Sequence, residues 1–352
     1  MPQDAKPTIR LIAQKTGYSK ATVANALNGT PTVAWATAKL IHQVAEELGY
    51  RRNSMVGALM SAVRRSGEGS LQGVLAVVEI GEPDRPEHGV FHRALLEGCR
   101  DGAKELGFGL DFFLLDPGEI TPERLSGIMK ARGIRGVVLL PSWRSPSFDR
   151  FDWDWLTGVY ADYLAEEPSL NSVCCDHYRT VLEALESIYS LGYRRPGMVF
   201  EEGREERIHM RMSAALRVFQ TRRPDITHIE PRFLSEISKP AVLSWVDEVE
   251  PDIVLAHQGN EVMDWIQEAG YQIPSDIGFF CLNLTKTNKQ TAGLDLRPNE
   301  IGRCAVEQLV AQVQRQAWGR ARTPTTTSIV GRFVYGPTIG DRSEAPGSLE
   351  AK

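Results

Sequence analysis

The sequence predicts a mixed α/β protein, an all-α head of three short helices followed by two doubly wound α/β lobes. Three observations carry that reading. The first 66 residues contain nine Lys/Arg and three acidic residues, a net of +6, whereas the 352-residue chain totals −5 and the remainder therefore carries −11. Within the basic head, apolar residues recur at helical spacing in three short runs. Beyond Leu71, short apolar strands alternate with helical patterns, which demands parallel sheets covered on both faces.

In the head, Thr8 is placed to N-cap a helix that carries Ile9, Ile12 and Ala13 on one face, and Gly17 ends it where the chain must reverse. Ser19 caps a second helix, Lys20 to about Leu27, which turns Val23 and Leu27 inward and leaves Lys20, Ala21, Thr22 and Asn25 outward. After the turn Asn28-Gly29-Thr30-Pro31, a third helix from about Ala34 to Leu48 has Leu40, Ile41, Val44, Ala45 and Leu48 as its apolar stripe. Two short helices with a tight turn, packed on a third, make a helix-turn-helix. A generic three-helix bundle has the same periodicity, so the pattern alone leaves both open. A basic head on an acidic body suits a protein of which only the head approaches phosphates.

In the body, the expected elements are a strand at 73–78, a helix at 91–106, a strand at 110–115, a helix at 122–132 and a strand at 136–140. The alternation restarts at Ser172, with strands at 173–175, 197–200, 253–256 and 277–281 and helices at 180–191, 206–219 and 261–269. A late helical segment, about Leu294 to Gly319, is expected to return to the first lobe, and Ile329 to Val334 to the second. Two consecutive doubly wound units imply a cleft between them, the usual place for a small ligand. Trp143, Trp153 and Trp155, with Asp149, Asp152 and Asp154, read as an aromatic loop packing on the body rather than a sugar platform or a metal cluster.

Composition narrows the functions. No run of about 18 apolar residues occurs, and MPQDAKPTIR lacks the apolar stretch of a secretory signal, so neither membrane nor export is expected. The five cysteines are odd in number and have no C-x-x-C spacing, which fits a reducing cytoplasm better than a disulfide framework or a zinc ribbon. No strand-associated G-x-G-x-x-G, P-loop, G-x-S-x-G or H-E-x-x-H appears, and His88, His92, His177, His209 and His257 make no metal spacing. No enzymatic activity and no cofactor are expected.

The run TIRLIAQKTGYSKATVANALNGTPTV, followed by ATAKLIHQVAEELGYRRNSMVGAL, resembles the N-terminal signature of the lactose-repressor (LacI/GalR) family of transcriptional regulators. Thr8-Ile9, Ile12-Ala13, Gly17, Ser19, Thr22-Val23, Leu27-Asn28-Gly29, Leu48-Gly49-Tyr50 and Asn53 all match in register. The resemblance implies a homodimer on near-palindromic double-stranded operator DNA, a repressor role, and DNA contacts from Thr8, Ser19, Lys20, Ala21, Thr22, Asn25, Asn28, Tyr50, Asn53 and Leu59. In that family the first, second and sixth positions of the second helix read base edges; here they are Lys20, Ala21 and Asn25. Lys donates to guanine O6/N7, Asn pairs with adenine N6/N7, and Ala touches a thymine methyl. Ala24-Asn25 replaces the usual Ser-Arg, so the operator is expected to differ from typical ones. The segment Asn53 to about Met60 matches a hinge helix that inserts a leucine, here Leu59, into the minor groove, and Gly57 replaces the usual basic neighbour.

The same resemblance implies a periplasmic-binding-protein-like body and a small effector, a sugar or glycoside, in the inter-lobe cleft. It places the effector contacts on Phe91, Asp176, Arg207, Gln258, Asn260 and Asn283. Asp176 lies sixteen residues before Gly192 of Leu191-Gly192-Tyr193-Arg194-Arg195, the family's gap from pocket acid to Leu-Gly-His-Arg-Arg turn. Cys281-Leu282-Asn283 replaces Gly-Phe/Tyr-Asp, turning a carboxylate into an amide. With Asn260, that change leaves a second reading open, a DNA-binding regulator whose pocket has decayed. The expected domains are 1–52 for the helix-turn-helix, 53–70 for hinge and linker, 71–342 for the body and 343–352 for a tail. Within the body, lobe 1 is about 71–158 with 291–320, and lobe 2 is about 159–290 with 321–342.

Overall fold

A computed structural model describes residues 9–27, 33–48, 72–81, 89–115, 120–142, 148–162, 167–203 and 205–343. The chain divides into two units, Met1–Ser70 and Leu71–Lys352.

The first unit holds α1 (Ile9–Thr16), α2 (Lys20–Leu27) and α3 (Trp35–Glu47). Gly17, in the left-handed region at φ +75°, closes α1 by donating its amide to Ala13 at 2.9 Å. Ser19 starts α2 by accepting the Thr22 amide on its Oγ at 3.0 Å. The three helices bury Ile12, Val23, Ala26, Ile41 and Ala45 against one another, with Ala13, Leu27, Val44 and Leu48 packed partly buried around them, whereas Leu40, expected in the apolar stripe of α3, is exposed because it sits one position off the face that Ile41 turns inward.

The second unit contains two parallel sheets. The first sheet comprises β1 (Val74–Ile80), β2 (Gly109–Leu115), β3 (Gly136–Leu139), β4 (Thr157–Ala161), β5 (Asn171–Cys175) and β11 (Thr326–Ile329), in the order β2-β1-β3-β4-β5-β11. The second comprises β6 (Pro196–Glu201), β7 (Arg232–Leu234), β8 (Ile253–Ala256), β9 (Gly278–Cys281), β10 (Ala292–Asp295) and β12 (Arg332–Val334), in the order β7-β6-β8-β9-β10-β12. Every pairing is parallel except β10 with β12. The helices between the strands are α4 (Val90–Glu105), α5 (Pro122–Ala131), α6 (His177–Ser190), α7 (Arg211–Arg222), α8 (Lys239–Val249), α9 (Gly259–Glu268) and α10 (Pro298–Arg315). Both sheets repeat one doubly wound order and reverse direction of growth once, between β1 and β3 and between β6 and β8.

The lobe boundaries differ from those expected at 158/159 and 320/321. Strands β4 and β5 both join the first sheet, so the alternation does not restart a lobe at Ser172; the chain leaves the first sheet only after Cys175. Likewise β10, expected in the first lobe from residue 291, lies in the second sheet between β9 and β12, and β11 returns to the first, pairing Thr326–Ile329 with Ser172–Cys175. Periodicity identifies a strand but says nothing about which neighbour it pairs with. The late helix does return to the first lobe: α10 lies on α4, with Gly98 and Gly302 at the crossing. A Cβ on Gly98 would fall 1.9 Å from the Asn299 carbonyl oxygen, and one on Gly302 2.1 Å from that of Leu95, so only glycine permits this approach.

The helix expected at 206–219 is also broken. Glu206–Ile208 forms a 3-10 turn, His209 and Met210 both take left-handed φ of 56°, and α7 begins at Arg211. The cause is Glu205, whose buried carboxylate accepts the Met212 and Ser213 amides at 3.2 and 2.9 Å and so sets the start of α7. The aromatic loop is packing: Trp153 is buried and its Nε1 donates to the Phe148 carbonyl at 2.7 Å, Trp155 Nε1 donates to Ile134, and Asp152 pairs with Lys130. Trp143 lies outside the described residues.

Candidate functional site

Two places carry the residues singled out from the sequence. On the head, α2 turns Val23 and Ala26 into the core, and Lys20, Ala21 and Asn25 are exposed together on the opposite side. Ser19 caps that helix and Thr22 is half-buried, their hydroxyls 2.8 Å apart. The face therefore offers one cation, one methyl and one carboxamide, three groups that suit base edges in a major groove. Thr8, Asn28, Tyr50, Asn53 and Leu59 lie outside the described residues.

The second place is a cleft at the carboxyl ends of the strands of both sheets, where open α/β sheets hold ligands. Its walls come from the first turn of α4 (Phe91, His92), the residues after β3 (Pro141, Ser142), Asp162 after β4 and His177 at the start of α6. The second lobe supplies Phe200, Glu205, Arg207 and Met212, then His257 after β8 and Asn283 and Lys286 after β9. The space between these walls, open mouth included, is about 680 Å³.

Arg207 crosses the cleft. Its Nη1 donates to the Asp162 backbone carbonyl at 2.8 Å and its Nη2 lies 3.9 Å from the Asp162 carboxylate. Asp162 is 2% exposed and holds a left-handed φ of 52°, a strained backbone of the kind found at ligand clamps. Burial pushes its carboxyl upward from the ordinary aspartate value, opposed by the Arg207 charge and the Cys175 amide. His177, equally buried, is driven down to about 3 by desolvation first and then by Arg207 and Arg211, so its imidazole is neutral at pH 7. Its Nδ1 is buried with no hydrogen-bond partner. Asn283 commits its carbonyl oxygen to the Thr285 amide and hydroxyl at 3.1 and 2.8 Å, which leaves its NH2 for the cleft.

Of the six residues expected to hold an effector, Phe91, Arg207 and Asn283 meet on the wall. The other three do not line it. Asp176 is the N-cap of α6, accepting the Arg179 amide at 3.1 Å. Gln258 donates to Glu201 at 3.2 Å, and Asn260 accepts the Thr287 hydroxyl at 2.7 Å, bracing the loop after β9. The acids on the wall are instead Asp162 and Glu205; the signal of Asp162 in the sequence is a carboxylate directly after the apolar run Val159-Tyr160-Ala161. His177 follows the apolar Val173-Cys174-Cys175 in the same way, one residue past Asp176. Among the described residues, no group of three metal-ligating side chains occurs, and no helix is long and apolar enough to cross a membrane.

Comparison with known proteins places both regions. Residues 8–53 match the family described as bacterial regulatory proteins, lacI family, and residues 185–336 match the periplasmic binding protein-like domain. The HTH-type transcriptional regulator PtxS of Pseudomonas plecoglossicida is 28% identical over 188 residues, 53% of this chain and 52% of that protein. The HTH-type transcriptional regulator CelR of Thermobifida fusca is 28% identical over 142 residues, 40% of this chain and 38% of that protein. The chain thus spans about half the length, or less, of these curated relatives. Among solved structures, a transcriptional regulator CelR–cellobiose complex superposes with TM-score 0.59 at 17% identity, covering 94% of this chain and 99% of that one. The lac repressor dimer bound to operator and the anti-inducer ONPF superposes with TM-score 0.56 at 16% identity, covering 95% and 99%. At these identities the likeness establishes the fold.

Proposed function

Because residues 8–53 match the lacI family of bacterial regulatory proteins and residues 185–336 match the periplasmic binding protein-like domain, we propose that the chain is a sequence-specific transcriptional regulator, a repressor whose operator binding responds to a small carbohydrate-derived effector in the inter-lobe cleft. It binds a near-palindromic operator as a homodimer, since one short recognition helix contacts too few base pairs to be selective in a genome. Its place of action is the cytoplasm, and its work is binding and coupling rather than catalysis.

The observation that carries this reading is the exposure of Lys20, Ala21 and Asn25 on one face of a capped α2 in a chain that also has a cleft between two doubly wound lobes. Lys20 and Asn25 supply the donors that guanine and adenine edges accept. In the cleft, Asp162 of the first lobe and Arg207 of the second are close enough for one ligand to touch both, which couples ligand binding to the relative position of the lobes. Lobe movement in a dimer then changes the spacing of the two reading heads. A working cleft is favoured over a decayed one by the convergence of Asp162, His177 and Arg207 on its wall.

The test is selection of binding sites from random double-stranded DNA by the full chain, repeated with a carbohydrate library present. The expected result is a two-fold symmetric motif whose recovery falls with particular sugars. A motif without two-fold symmetry, or no motif at all, removes the reading.

A further inference from the structure

We propose that Thr180 and Gly331 form the joint on which the two lobes are set, with Thr180 as the positioning residue that ties the crossings of the chain together. The consequence for operator binding rests on the reading that lobe position reaches the heads; the joint itself does not.

Among the described residues, the chain passes between the sheets three times, at 175–177 from β5 to α6, at 295–298 from β10 to α10 and at 329–332 from β11 to β12. Hinges absorb their motion in a few residues at such element ends. Here the crossings are not separate tethers. The Asp176 amide donates to the Ile329 carbonyl at 2.8 Å, which joins the first crossing to the third. Thr180, in the first turn of α6 and 3% exposed, accepts the Gly331 amide on Oγ1 at 2.9 Å, and the same oxygen lies 3.6 Å from Cys175 Sγ. The second crossing is tied by Asp295: its Oδ1 accepts the Arg297 amide at 2.8 Å, and its Oδ2 takes the Arg332 guanidinium at 2.7 Å. All three meet at Gly331. A Cβ there would fall 2.7 Å from Thr180 Cγ2 and 2.9 Å from the Asp295 carbonyl oxygen, so a side chain would force the third crossing away from the second.

A threonine inside a helix ordinarily returns its hydroxyl to the carbonyl one turn back. Thr180 instead spends it on an amide 151 residues away, which is what a clasp between chain passages requires. Two wall residues of the cleft sit inside the same joint. His177 follows Asp176, whose amide is bonded to the third crossing, and Leu296 lies between Asp295 and Arg297, which are bonded to each other. A ligand that touches either side chain therefore bears on backbone held across the joint. Because the crossings are bonded side by side, bending one moves the others, and the lobes turn as wholes.

The experiment reads the separation of the lobes. Spin labels carried by non-canonical residues in place of Arg124 on α5 and Gln267 on α9, both exposed, leave the cysteines untouched, and pulsed dipolar spectroscopy of the full chain gives the distance between them. Thr180→Val removes the hydroxyl and keeps the shape. It is expected to shift or broaden that distance and to make the Gly331 amide exchange with solvent about tenfold faster, with folding followed by thermal melts. Thr180→Ser, which keeps the hydroxyl, should restore both, and Gly331→Ala should shift the distance by wedging the crossings apart. If Thr180→Val does not fold, Arg332→Gln, at an exposed side chain, decides through the same distance. Distances unchanged in Thr180→Val and Gly331→Ala overturn the joint, and so does a Thr180→Ser protein that behaves like Thr180→Val. Affinity for the selected operator should fall about tenfold in Thr180→Val. A shifted distance with unchanged operator affinity supports the joint and overturns the link from lobes to heads.

Discussion

Arg207 holds Asp162 from the opposite lobe, with its Nη1 2.8 Å from the Asp162 backbone carbonyl and its Nη2 3.9 Å from the carboxylate. The short contact is to the backbone, so the carboxylate stays within reach of a ligand while the guanidinium is already oriented. Replacing Arg207 by Ala removes that orientation and the charged hydrogen bonds it offers. Effector affinity should fall by about 1.5–3 kcal/mol, read by calorimetry with whichever compound binds the parent.

Asp176 is expected to behave differently. As the cap of α6, Asp176→Ala should lower stability by about 1 kcal/mol and leave effector titration as in the parent. Urea unfolding and calorimetry on one preparation separate the two effects, and lost ligand binding without lost stability contradicts the capping role.

On the head, Asn25→Ala should relax preference at one base pair per half-site by about 1–3 kcal/mol. Lys15→Ala, a change of charge on α1, should instead weaken all sequences alike and reduce the salt slope by about one unit if it meets phosphate. An Asn25→Ala protein that selects the parent motif shows that this side chain does not read bases.

His177 makes stability depend on pH. In the folded chain it titrates at about 3, against 6.5 for an ordinary histidine, so below pH 6.5 the unfolded chain takes up a proton that the folded chain refuses. Stability is fully present above pH 6.5 and falls as the pH drops toward 3. At about 1.4 kcal/mol per unit of separation, the loss between pH 7 and pH 5 is on the order of 2 kcal/mol. His177→Gln should flatten the curve of urea midpoint against pH over that interval, and equal slopes in parent and variant contradict the burial of a neutral ring.

Gly302→Ala should destabilise the body at the upper end of the about 1–3 kcal/mol expected for overpacking, because its Cβ meets the Leu95 carbonyl and cannot be relieved by a rotamer change. Gly127→Ala, in the middle of α5 with nothing within 4 Å, should instead stabilise by about 0.5–1 kcal/mol. Thermal melts of the two variants should move in opposite directions.

Much of this architecture is legible in the sequence where local pattern and final packing agree. Ile12, Val23 and Ile41 occupy the helical spacing that buries them, and Val74–Ile80 or Ile253–Ala256 are apolar enough to be strands in any setting. Strand β4 is hidden because Thr157 and Gly158 begin it and an aromatic loop precedes it. Arg232–Leu234 is three residues long at a sheet edge, too short for period-two alternation to show. In the cleft, Phe91, Arg207 and Asn283 were readable by position, but Asp162 and His177 were not, since each matters only through where its strand ends. Asp176 has the right spacing and the wrong direction: its carboxylate turns back to its own helix.

The three passages of the chain between the sheets bear on how the body is made. The first sheet is complete only when Thr326–Ile329 lies beside Asn171–Cys175, more than 150 residues apart along the chain. During synthesis, therefore, the first lobe waits without its last strand, and without α10 over Gly98, while β6 to β10 of the second lobe emerge. Pairings of such long sequence separation form slowly, and a nascent chain exposing the β5 edge is open to pairing with its neighbour on the same message.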